Sequence, residues 1–409
     1  MRAVEESLMA SGDTVLVVGA GLVGMATARQ LALTGHRVTV VDKEPRVAQH
    51  QSGHNSGVVH AGVYYPPGSL KAVLCRRGAE LLKEFCAEHG LVYREIGKVV
   101  VARDGSELDR LRDIESRARR NGVPRLRRLD GAELRELEPH VAGVAALHSP
   151  TTAIVDYPAI ARAMAADVEA AGGQVRLGHR VTGVTRTPAG GVVVRTEHEG
   201  GTEADRADRV VLCAGLQSDV LARAAGDEVG PAIVPFRGEY LRLVPGRTDL
   251  VRGLVYPVPD PAYPFLGVHF TPRVDGAVDV GPNAVLALAR EGYRWRDVDL
   301  RHLAATLRWP GSRHLVRQHW RAGVRELRGS VSRRAFVAAA RVYVPELRLD
   351  DVVPAPAGVR AQAVDADGSL VDDFRIHELG PVVAVRNAPS PAATSCLAIA
   401  EHIATVASR

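Results

Sequence analysis

The chain has 409 residues, 46% of them hydrophobic and 24% charged, and a formal net charge of +5. That length exceeds the usual single compact core and predicts two domains with a cleft between them; the balanced composition excludes a disordered chain. The positive excess is small and no basic block is interleaved with aromatics, which argues against nucleic-acid binding, though it favours attraction of an acidic substrate.

Nearly all of the positive charge is arginine, the only lysines being Lys43, Lys71, Lys83 and Lys98. Cys75, Cys86, Cys213 and Cys396 lie far apart with no CxxC spacing, so reduced thiols are expected and neither a metal site nor a disulfide framework. The apolar stretch from Thr14 to Ala28 is too short to span a bilayer, and Glu5, Glu6 and Asp13 ahead of it do not make the basic start of a signal peptide. An intracellular, cytoplasmic protein is expected.

The first predicted element is the apolar strand Val15-Leu16-Val17-Val18. A glycine turn, a helix to Leu33 and a second strand, Val38-Thr39-Val40-Val41, follow, making a β-α-β unit. Within it Gly19-Ala20-Gly21-Leu22-Val23-Gly24 is GxGxxG, placed after a strand and at the start of a helix. Gly19 permits the tight turn, Gly21 lets backbone approach a pyrophosphate, and Gly24 lets helix and strand pack closely. Asp42, ending the second strand, is spaced to accept from a ribose hydroxyl and disfavours a 2′-phosphate. Dinucleotide binding follows; the choice between FAD and NAD does not.

Ser69 is a predicted N-cap for a helix ending at Gly90, with Leu70, Val73, Leu74, Leu81, Leu82 and Phe85 on one face. Residues 104–138, rich in arginine and glutamate, read as a solvated outer layer. The strand Val210-Val211-Leu212 and the turn Cys213-Ala214-Gly215 return the chain to the dinucleotide sheet. Residues 231–285 alternate short apolar strands, such as Val255–Val258 and Phe265–Val268, with proline and glycine turns, which predicts an antiparallel second sheet. A loop-rich stretch and one last helix complete the chain.

Four segments carry a more specific resemblance: Gly53 to Tyr65, Arg237-Gly238-Glu239-Tyr240, Gly358 to Ala363, and Asn387 to Thr394. With the fingerprint they closely resemble the L-2-hydroxyglutarate oxidase/dehydrogenase family, within the group of FAD enzymes that includes D-amino-acid and glycine oxidases. The resemblance runs from about Thr14 to His402, is loose around residues 312–340, and meets Ala366 where proline is expected before Asp367-Gly368. It implies an α/β fold: a Rossmann-like FAD-binding domain, discontinuous in sequence (12–90, 141–225 and 350–409), with an inserted α+β substrate domain (91–140 and 226–349) built on an antiparallel sheet.

It further implies FAD as cofactor, oxidation of L-2-hydroxyglutarate to 2-oxoglutarate, and a quinone or oxygen as electron acceptor. Peripheral attachment to the inner face of the membrane is compatible with a quinone, but the sequence shows no convincing amphipathic membrane helix. Oxidising a 2-hydroxy acid requires a base for the hydroxyl proton as hydride leaves C2. His60, in the loop that by resemblance passes the flavin, is the first choice for it, with His54 and His269 in reserve. A structural histidine and a covalent flavin link are the other readings of His60.

Arg360 is expected to bind the C1 carboxylate through paired hydrogen bonds, with Arg237 facing the site or making an ion pair elsewhere. Tyr256 and His269 are candidates for lining the pocket. Lys43, His54, Asn55, Ser56, Val181, Ala214, Gly215, Gly358, Pro389, Ala392, Ala393 and Thr394 complete the expected cofactor contacts. Ser390 is expected to cap a final helix beginning at Pro391, whose positive end would face the flavin. Two other readings stay open at this stage, an amine oxidase acting on glycine or sarcosine and a flavin-binding protein without turnover.

Overall fold

The computed structural model describes residues 12–188, 190–260 and 267–407. Its first sheet has six strands in the order Arg375–Leu379, Val382–Asn387, Arg209–Leu212, Thr14–Val18, Arg37–Asp42 and Gln174–Leu177. All neighbours pair in parallel except the first two, which form an antiparallel edge. Such strands are apolar on both sides because both faces are covered. One face carries the helices Leu22–Leu33, Leu70–Glu88, Tyr157–Ala170 and Ala392–Ala407, packed into a continuous core with Met25, Leu31, Leu82, Ile160 and Ile399. The other is covered by a small antiparallel sheet, 180–207, whose Val184, Val192 and Val194 meet Leu16, Val18 and Leu212.

Ser69 caps the helix Leu70–Glu88 as expected, its Oγ accepting from the Ala72 amide at 3.2 Å, and Gly90 follows its end with φ +63°. Asp373 adds two bonds to the same end, accepting from the Leu70 and Lys71 amides. Val73 departs from the predicted face: it is 55% exposed, while Leu74, Leu82 and Phe85 are buried. The arginine-rich layer includes the helix Leu108–Arg120, which buries Leu111, Ile114 and Ala118 on its inner side. The cysteines are all free thiols.

The second sheet follows the order 285–286, 232–243, 278–281, 269–272, 254–257, 98–102, 145–149, 127–130, with Val352–Val364 paired along 232–243. It is antiparallel except where Leu254–Pro257 runs parallel to Lys98–Ala102, so it is a mixed sheet and not the purely antiparallel one expected. Phe265 and Leu266, expected in one of its strands, lie outside the described residues.

Two segments that the sequence assigns to the cofactor domain, Ala145–Ser149 and Val352–Val364, lie in this second sheet. The reason is pairing partner. The strand 352–364 matches 232–243 almost end to end, from Ala232 opposite Val364 to Leu243 opposite Val352, which no local pattern encodes. This long pair lies along the border with the first sheet and brings Gly238 and Gly358 to the cleft. The Asp365–Gly368 turn closes without the expected proline, the Gly368 amide donating to the Asp365 carbonyl at 3.0 Å.

Candidate active site

A cavity of about 650 Å³ runs between the two sheets. It starts at the glycine turn, where Gly19 has φ +111°. A Cβ on Gly24 would stand 1.9 Å from the Gly19 carbonyl oxygen, and one on Gly21 would fill space 3.1 Å from Ser52 Oγ. Gly21, the N-cap of the helix Leu22–Leu33, has no side chain to cap it; Ser52 Oγ from the following loop accepts from the Leu22 amide at 2.9 Å, and the next amides of the positive end are left to a pyrophosphate. Asp42 lines the cavity and already accepts from the amides of Ala20 (2.6 Å) and Glu44 (2.9 Å), which locks the turn while leaving lone pairs for a ribose.

Lys43 lines the same end, its ammonium held by Glu44, by Glu291 at 2.9 Å and by His50 Nε2 at 3.0 Å. Burial raises the Glu44 carboxyl, but Lys43 and His50 outweigh it and hold the group below the usual range. Val181, Ala214 and Gly215, expected cofactor contacts, line the wall of the cavity. Asn55 and His54 line it too, with side chains engaged in bracing the loop. Asn55 Nδ2 donates to the carbonyls of Gln51 and Ser52, its Oδ1 accepts from Gly57, and His54 Nδ1 donates to the Ala357 carbonyl at 3.0 Å. Gly358 is required beneath His54, because a Cβ there would sit 2.6 Å from the His54 carbonyl oxygen.

At the far end the cavity is lined by Pro389, Ser390, Ala392, Ala393 and Thr394. The helix begins at Ala392, not at Pro391: the Pro391 carbonyl accepts from Ser395 and so occupies the cap position expected for Ser390. The positive end still faces the cavity. Thr394 is fully buried and clamps the opposite loop, its Oγ1 accepting the His60 amide at 3.0 Å.

His60, Tyr256, His269 and Arg360 gather where this end meets the second sheet, with Ser56, Tyr240 and Asn283. The His60 ring has no hydrogen-bond partner among the described residues. Burial first, then Lys98, His269 and Lys71, push its pKa down to about 3. His269 donates through Nδ1 to the Gly267 carbonyl at 3.0 Å, which leaves Nε2 as an acceptor. Burial brings its pKa to about 4, and the Tyr256 ring packs tilted against it at 4.1 Å between ring centres. Burial also lowers Arg360, against Asp372, Tyr65 and Tyr240, which favour its charge.

Among the expected catalytic residues Arg237 alone stands outside the cavity. It is 1% exposed, lies 4.2 Å from the Trp295 ring centre, and pairs with Glu239 at 3.1 Å. Alternation along its strand explains this: Phe236 and Gly238 face the cavity, so Arg237 points to the other side. Sequence reasoning missed Ser52, Tyr240, Asn283 and Lys98; only Lys98 carried a signal, as a rare lysine opening the otherwise apolar strand Val99–Ala102.

Two groups of potential metal ligands occur among the described residues, Glu44/His50/Glu291 and His179/His198/Glu203. The first already holds the Lys43 ammonium. In the second, His198 Nδ1 accepts from Gly200, so Nε2 carries a proton toward Glu203 and is not free to bind a metal.

A helix end facing the cavity, a glycine turn that admits no Cβ, a carboxylate at the end of the second strand and a second helix end facing neutral histidines fit FAD and define a flavin-dependent oxidoreductase. The pattern of the FAD dependent oxidoreductase (DAO) family matches residues 14–406. Within it the chain belongs to the family of the L-2-hydroxyglutarate dehydrogenases. It is 46% identical to the mitochondrial enzyme of Nematostella vectensis, covering 95% of this chain and 89% of that protein. It is 43% identical to the enzyme of Escherichia coli K12, covering 95% and 91%.

Two solved structures share the fold. The L-α-glycerophosphate oxidase of Mycoplasma pneumoniae with FAD bound has a TM-score of 0.79 at 23% identity, covering 98% of this chain and 95% of that one. The glycine oxidase of Geobacillus kaustophilus has a TM-score of 0.71 at 20% identity, covering 97% and 95%.

Proposed function

We propose that the protein oxidises L-2-hydroxyglutarate to 2-oxoglutarate. What carries this reading is identity of 43% to 46%, across nearly the whole chain, to dehydrogenases named for that substrate. Bound FAD supplies a hydride acceptor at N5.

The chain's own residues do the rest. Arg360 takes the C1 carboxylate in paired charge-assisted bonds. His60, neutral in the resting site, takes the hydroxyl proton; the substrate's negative charge raises its basicity on binding. The helix Ala392–Ala407 directs its positive end at the cavity, favouring negative charge there as the reaction proceeds. Glycine oxidase resembles the chain in fold alone, and no feature of the site favours an amine.

The test is an anaerobic titration of the purified protein with L-2-hydroxyglutarate, its D enantiomer and sarcosine. Bleaching near ~450 nm, the oxidised-flavin band, is expected with the L-hydroxy acid only; bleaching with sarcosine alone would move the protein to the amine oxidases.

For the electron acceptor the proposal is a quinone at a membrane surface. Among the described residues no helix is long and apolar enough to cross a membrane. The helix Pro310–Val331, however, exposes Val316, Trp320, Val324, Leu327 and Val331 at intervals of three and four residues, each at least 47% accessible. Exposed Arg313, Arg317, Arg321, Arg325 and Arg328 accompany them. Apolar groups beside arginines suit an anionic lipid interface. The sequence hid this because a kink at His319 interrupts the helix and arginines crowd the pattern.

Sedimentation with vesicles containing anionic lipid is expected to carry the wild type down, and Trp320→Asp with Val324→Asp to cut binding about tenfold or more. Equal binding by both proteins would remove this surface from consideration.

A further inference from the structure

Beside His60, Tyr256 and His269 stands a buried cation without a counter-charge among the described residues. Lys98 is 1% exposed and opens the strand Lys98–Ala102 opposite Leu254. Its ammonium lies 4.7 Å from the Tyr64 ring centre and 4.9 Å from that of Tyr256. Among the described residues Nζ has no hydrogen-bond acceptor and no carboxylate partner, and the buried Tyr64 hydroxyl is likewise without a partner.

Two aromatic faces soften the burial of an ammonium but do not satisfy its three N–H groups, and lone buried ions and donors are costly. Such a cost persists where an arriving ligand relieves it. The ligand's sign and character follow from the donors: an anion able to accept from an ammonium and a phenol, as a carboxylate does.

The surroundings place that carboxylate. The Tyr256 ring lines the cavity, packs tilted against His269 at 4.1 Å between ring centres and contacts Lys98, so it is the partition between cavity and cation. Lys98 bears electrostatically on both His60 and His269; Lys71, which also bears on His60, is already paired with Asp372 at 2.8 Å, and Arg360 answers to Asp372 and two tyrosines. Two separate cations suit two separate carboxylates. In a chain whose positive charge is almost all arginine, a lysine here also has a physical reason, because its flexible stem can extend past a ring where a planar guanidinium would be trapped against it.

We propose that Lys98, with the Tyr64 hydroxyl, receives the substrate carboxylate farthest from the oxidised carbon and makes the enzyme select a dicarboxylic over a monocarboxylic 2-hydroxy acid. The proposal rests on the reading of the cavity as a 2-hydroxy-acid site and adds a specificity residue to it.

The test compares holoenzymes of the wild type, Lys98→Met and Tyr64→Phe. One measurement is the ratio of kcat/KM for L-2-hydroxyglutarate to that for L-2-hydroxypentanoate, which has the same chain without the second carboxylate. The other is the dissociation constant of glutarate, an inert dicarboxylate, read from the flavin spectrum. In Lys98→Met the ratio is expected to shrink about 100-fold and glutarate to bind about 100-fold more weakly, as when one partner of a buried charge pair is removed.

Tyr64→Phe, which keeps the ring, is expected to show about a tenfold change in both. Ligand-free Lys98→Met should melt no lower than the wild type, since an unpaired buried charge has been replaced by an apolar chain of similar length. An unchanged ratio with wild-type glutarate affinity overturns the proposal, as does equal loss on both substrates. If no 2-hydroxy acid reduces the wild-type flavin while glutarate binding still depends on Lys98, the proposed reaction falls and the carboxylate receptor stands.

Discussion

Gly24→Ala is expected to give a protein that purifies without yellow colour. The added Cβ would lie 1.9 Å from the Gly19 carbonyl oxygen and 3.3 Å from the Cys213 side chain. The first obstacle is backbone, so no rotamer change relieves it. The helix Leu22–Leu33 must withdraw from the turn, and with it the amides placed to meet the pyrophosphate. A displacement of this kind costs about 4 kcal/mol or more, equivalent to about 1000-fold in cofactor affinity. The measurement is the ratio of absorbance near ~450 nm, where oxidised flavin absorbs, to that of the protein, with far-ultraviolet circular dichroism as a check of folding. A folded variant that holds FAD in full stoichiometry would show that close helix-strand contact is not what shapes the site.

His60→Gln is expected to lower kcat about 100- to 10,000-fold, the range for loss of a positioned general base, while leaving FAD content intact. Its pH dependence is distinctive. In the free enzyme burial keeps the imidazole neutral down to about pH 3, so kcat/KM of the wild type should not fall near the ordinary histidine value of 6.5. Stability should behave differently. His60 and His269, with pKa values lowered to about 3 and about 4, take up protons in the unfolded chain before they do so in the folded one. The unfolded state therefore binds more protons as pH drops below 6.5, and the folding free energy declines across that window.

Together these give an enzyme whose kcat/KM, per folded molecule, holds to about pH 5 while its melting temperature falls. Comparison of pH-rate and pH-melting profiles checks this, and a kcat for His60→Gln within threefold of wild type would remove His60 as the base.

Much of this site is legible in the order of residues because its parts are local. The turn Gly19–Gly24 and the acid Asp42 belong to one β-α-β unit, and glycine spacing alone indicates where a backbone must approach a phosphate. The cap at Ser69 and the stop at Gly90 are likewise written within a few residues of the helix they bound. The loop containing His60 was placed by resemblance, and its ring does line the cavity.

What the tertiary structure alone decided concerns partners far along the chain. Which sheet the strands Ala145–Ser149 and Val352–Val364 join depends on pairing with 98–102 and 232–243, and no local periodicity specifies a partner. Arg237 and Phe236 are adjacent in sequence, yet strand alternation sends one against Trp295 and the other to the cavity. Lys98 reads as the polar start of an apolar strand until Tyr64 and Tyr256, from two other segments, enclose its ammonium. Sequence by itself determined most of the elements and the cofactor turn, since each rests on interactions within one segment, and it indicated the kind of chemistry only through the resemblance carried by four segments. Burial, and with it the desolvation that keeps His60 neutral and encloses Lys98 where no described residue supplies a counter-charge, is a property of assembled neighbours and was decided only in the folded chain.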